Sequence, residues 1–228
     1  MTESMQIYSD WAALEEAIKR CTKCPLHKFR KNAVPGEGDK NSKVMFVGEA
    51  PGATEDEMGR PFVGAAGRLL TTMLESLGIK RESVYITNVV KCRPPGNREP
   101  NDEEIEACKP YLISQITLLK PRIIVTLGNV AGKVIFSLAG KTWNGVTKMR
   151  GKTYEAKVLG LDVIIVPTLH PAAVLYNPQL RTLFENDLKI LKSVMDRTLK
   201  EVSYASTSQP VKEASKPKSK TILDYIKR

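Results

Sequence analysis

Two sets of residues in this 228-residue chain have the types and spacing to do chemistry. The first is its four cysteines: Cys21 and Cys24 form a C-x2-C pair, and Cys92 and Cys108 have 15 residues between them. The second is a series of polar or glycine-rich segments, each following a short apolar run. Gly48-Glu49-Ala50-Pro51-Gly52 follows Lys43–Val47, Asn88 follows Val84–Thr87, Gly128-Asn129 follows Arg122–Leu127, and His170-Pro171 follows Val163–Thr168. Ligands of open parallel sheets bind in the crevice outside the carboxyl ends of the strands. If the apolar runs are neighbouring strands, a carboxylate, an amide and an imidazole converge on one pocket, and the chain reads as an enzyme.

The cysteines favour a metal. A disulfide framework suits small secreted chains, and Met1–Asp10 is polar with no apolar signal core. Four thiolates are a set used both by structural zinc and by [4Fe–4S] clusters. Zinc ribbons pair two C-x2-C knuckles and only one is present here. The spacing therefore favours the cluster, with zinc and free thiols left open. Either metal would staple the N-terminal segment to the Cys92–Cys108 segment and add to folding free energy.

The elements that must position these groups alternate. Asp10–Arg20 reads as a capped helix with Trp11, Leu14 and Ile18 on one face, followed by a Pro- and Gly-containing basic loop over Cys21–Asp39. The four apolar runs are too short for helices and fit buried strands. Between them, Gly64–Leu77 carries a Leu69/Leu70/Met73/Leu74/Leu77 stripe, Asn101 caps a helix running to about Leu119, and Asn129–Leu138 supplies a third. Thr153–Val158 reads as one arm of an edge hairpin and Gln179–Leu199 as a long closing helix. This β-α alternation predicts a central four-stranded parallel sheet with helices on both faces.

Length and 42% hydrophobic content suit one domain, residues 1–199, with a Ser/Lys/Pro-rich basic tail over 200–228 expected to be disordered. No stretch approaches the roughly 20 apolar residues of a membrane helix. A monomeric cytoplasmic protein is expected. The net charge is +10, of which the tail supplies seven Lys/Arg against three Asp/Glu. That balance fits a polyanionic partner such as nucleic acid.

In their order along the chain, the motifs resemble the family 4 uracil-DNA glycosylases, iron–sulfur enzymes of thermophilic archaea and bacteria. The resemblance is carried by Cys21-x2-Cys24, Gly48-Glu49-Ala50-Pro51-Gly52, Gly59-Arg60-Pro61-Phe62-Val63-Gly64 and Tyr85-Ile86-Thr87-Asn88. It continues through Lys91-Cys92-Arg93-Pro94-Pro95, Cys108 and His170-Pro171-Ala172-Ala173. It implies a three-layer α/β/α sandwich, a [4Fe–4S] cluster on Cys21, Cys24, Cys92 and Cys108, and hydrolysis of uracil from uracil-containing DNA without strand cleavage.

Such chemistry requires the base to leave the helix stack and enter a pocket. Phe62 is expected to stack on the base. Asn88 would accept from uracil N3–H and donate to O4, the reverse of the pattern cytosine presents. His170 would donate to O2 as negative charge develops there. In family 1 an Asp stands at the position of Ala50 to position water and a Tyr at that of Gly52 to block the thymine methyl. This chain lacks both side chains, so Glu49 is the candidate for the water and Glu55 for excluding thymine. Paired with Glu55, Glu49 also invites a two-carboxylate glycosidase reading, which no other pocket feature supports. Arg60, Lys91, Arg93 and Arg98 are expected at DNA phosphates, and Leu175 in the gap left by the flipped base.

Near the end, Ile222, Tyr225 and Ile226 resemble a sliding-clamp-binding peptide, with Ser219 in place of the usual leading Gln. Two other classes compete with the enzyme reading. One is a non-catalytic iron–sulfur DNA-binding module. The other is a zinc-stabilised nucleotide-binding enzyme, disfavoured because neither a G-x-x-x-x-G-K-[ST] nor a G-x-G-x-x-G loop follows the first strand.

Overall fold

The computed structural model describes residues 6–207. Its centre is a six-stranded sheet in the order β1-β3-β2-β4-β6-β5. The strands are β1 (Glu37–Gly38), β2 (Val44–Gly48), β3 (Tyr85–Asn88), β4 (Ile123–Leu127), β5 (Tyr154–Val158) and β6 (Leu161–Thr168). β3, β2, β4 and β6 pair in parallel and are the four strands expected from sequence. The expectation of a four-stranded sheet is corrected at both edges, where β1 and β5 add antiparallel strands. β1 is only two residues long, too short for any hydrophobic period to betray it.

Each parallel strand is buried on both faces, so its residues alternate between two cores rather than between core and water. Along β2, Met45 and Val47 join the core packed by α1 (Trp11–Arg20), α4 (Asp102–Leu119) and α5 (Asn129–Leu138). Val44 and Phe46 join the opposite core, packed by α3 (Ala65–Ser76), α7 (Pro171–Tyr176) and α8 (Arg181–Thr207). The shorter α2 (Ala53–Met58) and α6 (Val146–Met149) complete the chain. The result is the three-layer α/β/α sandwich. Helix starts follow local chemistry: Asp10 caps α1, and Asn101 and Glu104 form a reciprocal capping box at α4.

α8 continues to Thr207, beyond the boundary expected at residue 199. The rest of the expected tail, with Ile222, Tyr225 and Ile226, lies outside the described residues. Among the described residues no helix is long and apolar enough to cross a membrane.

From β2 the chain passes through α2 and α3 to β3 on one side; from β4 it enters α5 on the opposite face. The adjacent strands β2 and β4 therefore send their connections to opposite faces. This is the switch point at which open α/β sheets form a crevice.

Candidate active site

The crevice is a pocket of about 650 Å³. Its floor is where β2 and β3 end side by side, in the register Gly48↔Asn88. Asn88 is 1% exposed, and its side-chain Oδ1 is buried with no hydrogen-bond partner. Buried polar atoms are nearly always paired, so an orphaned acceptor on a residue that lines the pocket points to a donor on a ligand.

Phe62 forms a wall of the same pocket. Its φ of +50° is unusual for a residue with a Cβ. Gly67 permits the turn: a Cβ there would stand 1.9 Å from the Phe62 carbonyl oxygen. Glu55 holds the turn from the other side, one carboxylate oxygen accepting from the Val63 N–H at 3.0 Å and the Gly64 N–H at 2.7 Å. Its second oxygen faces Gly52, where a Cβ would lie 2.8 Å away. Glu55 and Gly52 both line the pocket.

His170 follows β6 and caps α7, its ring centroid 5.6 Å from that of Phe62. The Ala172 N–H donates to Nδ1 at 3.2 Å, so a neutral ring carries its proton on Nε2. Burial pushes the imidazole down to about 4, countered in part by Glu55. At neutral pH the ring is an uncharged donor. Gly128, at the end of β4, lets it approach: a Cβ there would stand 3.1 Å from the His170 Cβ.

Glu49 and Ala50 also line the pocket. Burial, with the nearby Glu99 charge, raises the Glu49 carboxyl above the usual carboxylate range. That shift makes it a stronger base than a solvated Glu. At the mouth stand Leu175, 46% exposed, and Tyr176, 89% exposed, on the last turn of α7. Tyr176 is a rim residue that sequence reasoning misses. Its aromatic type next to Leu175, in a segment opened by His170-Pro171, is the available signal.

The four basic residues expected at phosphates are placed differently from one another. Arg98 reaches the rim, its guanidinium forked onto the buried Glu104 at 2.7 and 2.8 Å. Arg93 donates from Nε to Asn97 Oδ1 at 2.7 Å, and Arg60 is paired with Glu37 away from the pocket. Lys91 is a correction. It is 1% exposed, with its ammonium turned inward onto Thr87, Asn88 and Gln115, so no phosphate can reach it.

The Cys21/Cys24 pair and the distant Cys92 and Cys108 ring one small cavity together with His27, Arg30, Lys91 and Tyr111. Backbone or guanidinium N–H groups donate to the sulfurs. The Lys91 N–H reaches Cys108 Sγ at 3.2 Å, Arg30 Nη1 reaches Cys92 Sγ at 3.0 Å, and the Lys23 N–H reaches Cys21 Sγ at 3.5 Å. Burial raises the Cys24 and Cys92 thiols and pushes Cys108 up to about 12. Without a metal these thiols stay protonated beside donors oriented for thiolates. That mismatch fits a site built for metal-bound sulfur. Among the described residues no three His, Cys, Asp or Glu stand together as they would around a single ion.

Comparison with known proteins bears on both sites. The family model described as the uracil DNA glycosylase superfamily matches residues 35–192. The chain is 58% identical to a type-4 uracil-DNA glycosylase of Pyrobaculum aerophilum, over 78% of this chain and 91% of that one. It is 54% identical to the type-4 enzyme of Sulfurisphaera tokodaii, over 79% and 83% of the two chains. The type-4 enzyme of Thermotoga maritima is 46% identical, over 81% and 94%.

Proposed function

The chain belongs to the uracil DNA glycosylase superfamily, and from that premise we propose how its pocket removes uracil from DNA. The activity is that of a DNA N-glycosylase: hydrolysis of the bond between uracil and deoxyribose, leaving an abasic site. The observation that carries the site assignment is the orphaned Asn88 Oδ1 at the buried floor of the pocket. Uracil N3–H is the donor that this acceptor lacks, and the amide NH2 is then available to O4. Cytosine places an acceptor and a donor at these two positions, so a fixed amide meets it with like against like.

The remaining roles follow from position. Phe62 stacks on the base, with Gly48 beneath it leaving room for the ring. Bond breaking leaves positive charge on the sugar and negative charge on the departing base. His170, uncharged and with its Nε2 proton free, donates to O2 where that charge collects. One preorganised donor of this kind is worth about 2.7–4 kcal/mol. Glu49 holds and deprotonates the water that attacks the sugar. No amine nucleophile is needed, so the DNA strand stays intact.

Glu55 keeps the Phe62 turn closed and occupies the space beside Gly52, which supports its reading as the group that turns away thymine. Leu175 and Tyr176, exposed at the rim, are read as the side chains that enter the gap left by the extruded base. Arg93 and Arg98 remain candidates for phosphate contact near the mouth. The enzyme is read as a cytoplasmic monomer.

Cys21, Cys24, Cys92 and Cys108 are the residues that would hold a [4Fe–4S] cluster. Their convergence on one cavity, with only one C-x2-C knuckle among them, supports a cluster over a single zinc ion. When bound, it would supply iron–thiolate bonds that cross-link the N-terminal segment to the loop after β3 and to α4. The test of the function is a labelled oligonucleotide with one U opposite G, incubated with the protein, treated with alkali and run on a gel. Cleavage at U alone, dependent on alkali, is expected. No cleavage by folded, DNA-binding protein would leave the non-catalytic module in its place.

A further inference from the structure

Lys91 is a fully buried cation whose ammonium hydrogen bonds run to neutral oxygens. Nζ donates to Thr87 Oγ1 at 2.8 Å, to the Asn88 carbonyl at 2.5 Å and to Gln115 Oε1 at 2.7 Å. Burying an ammonium is costly unless each of its N–H groups is satisfied. Three acceptors for three donors meet that condition and leave Nζ one place to stand.

The Asn88 carbonyl has a reason to need it. Pairing of β3 with β1 covers only Tyr85 and Ile86, and pairing with β2 stops at Gly48↔Asn88. The carbonyl therefore stands where the ladder runs out, and Lys91 supplies the missing donor. The turn that brings Lys91 back is tied to the pocket loop: the Val89 N–H donates to the Gly48 carbonyl at 2.9 Å and the Val90 N–H to that of Glu49 at 3.1 Å.

The other end of the residue faces the cysteines. The Lys91 backbone N–H donates to Cys108 Sγ at 3.2 Å, and its carbonyl accepts from the Val34 N–H at 2.8 Å. Gln115 and Thr87, which hold the ammonium, also donate to the Pro35 carbonyl at 2.6 and 2.8 Å. One residue thus has its backbone on the four-cysteine site and its side chain on the strand end that carries Asn88.

We propose that Lys91 is a positioning residue for the reaction, fixing the Asn88 amide in the pocket and tying its geometry to the four-cysteine site. This rests on the reading of Asn88 as the group that reads the base. Lys91 touches no substrate. It acts by holding the β3 terminus within the few tenths of an ångström that a reading hydrogen bond tolerates, and misplacements of about 1 Å can cost 10²-fold in rate.

The test compares the metal-loaded wild type with Lys91→Met, which keeps the length and removes the donors. Metal content, visible spectrum, melting temperature, kcat and KM on U-containing DNA, and the ratio of rates on U and C are measured together. The expected result is metal content and KM within about twofold of wild type, kcat down ten- to hundredfold, and a smaller U-to-C ratio. A lower melting temperature with wild-type kcat and ratio would mean a purely structural lysine and overturn the proposal. Should Lys91→Met fail to fold, Thr87→Val removes one of the three acceptors, and the same split is expected at three- to tenfold. Unchanged kcat in Thr87→Val would then overturn it. Asn88→Ala runs alongside. If it is inactive while the Lys91 and Thr87 variants match wild type, only this inference fails; if it is fully active, the reading of the pocket fails first.

Discussion

Asn88 and Phe62 meet over the Cα of Gly48. A methyl group built there would stand 2.4 Å from Asn88 Oδ1 and 2.5 Å from Phe62 Cζ. The Asn88 amide and the Phe62 ring therefore share one contact surface, and its depth is set by the absence of a side chain at the last residue of β2. Gly48→Ala is expected to push both groups into the space for the base. Turnover on U-containing DNA should fall at least about 10²-fold while DNA affinity stays within a few-fold. Kinetics beside a binding titration decide it, and near-normal turnover would mean that the base is not held between these two residues.

His170 gives a pH prediction whose sign is fixed. Its folded value of about 4 lies below the ordinary 6.5. Between those values the unfolded chain binds the proton and the folded one does not. The associated stability, about 3 kcal/mol, is complete above pH 6.5 and is lost as the pH falls toward 4. Activity should show no inflection near 6.5 from this group. An NMR titration of the two histidines should find one ring uncharged down to about pH 4, and His170→Ala should remove that signal and about 10²–10³-fold of kcat. A His170 ring titrating near 6.5 would remove the case for a neutral donor.

Much of this site is legible in the amino-acid sequence, because a short buried strand leaves an apolar run and the next polar residue lies at the strand's carboxyl end. Asn88 and His170, which both line the pocket, are singled out that way. The failures have physical causes. Lys91 reads as surface charge because its acceptor Gln115 lies 24 residues on, and no local pattern announces a ring of neutral oxygens. β1 is too short to show a period, and α2, Ala53–Met58, is too short to show a stripe. In sequence Glu55 can be placed only by the shape of the substrate, whereas its bonds to Val63 and Gly64 exist only once the Phe62 turn has formed.

Removal of the metal tests the cysteine site separately from the pocket. The metal-loaded protein is expected to be brown with absorbance near 400 nm, which zinc would not give. Stripping it leaves Cys24, Cys92 and Cys108 as thiols that burial keeps protonated, Cys108 pushed up to about 12. The staple between the N-terminal segment and the Cys92–Cys108 segment is then lost. A structural metal is worth several kcal/mol, so the melting temperature should fall by about 10 °C or more. An unchanged melt would show that the thiols carry no structural metal.

Substitution of Leu175 and Tyr176 tests whether entry of the base is separable from its chemistry. Both are exposed apolar side chains on the rim, and Tyr176 at 89% exposure contributes almost nothing to the core. The double variant Leu175→Ala, Tyr176→Ala should therefore melt within about 2 °C of wild type, as surface changes do. In a duplex, extruding uracil costs a few kcal/mol of pairing and stacking; in a single strand most of that cost is absent. If these side chains fill the gap behind the flipped base, their loss should lower kcat/KM on duplex U:G DNA about ten- to hundredfold and leave single-stranded DNA within about threefold. An equal loss on both substrates would place them in contact with the strand itself. No loss on either would return Leu175 to the role of a packing residue, and the opening of the duplex would then have to be driven from the pocket, by Asn88 and Phe62 closing on the base.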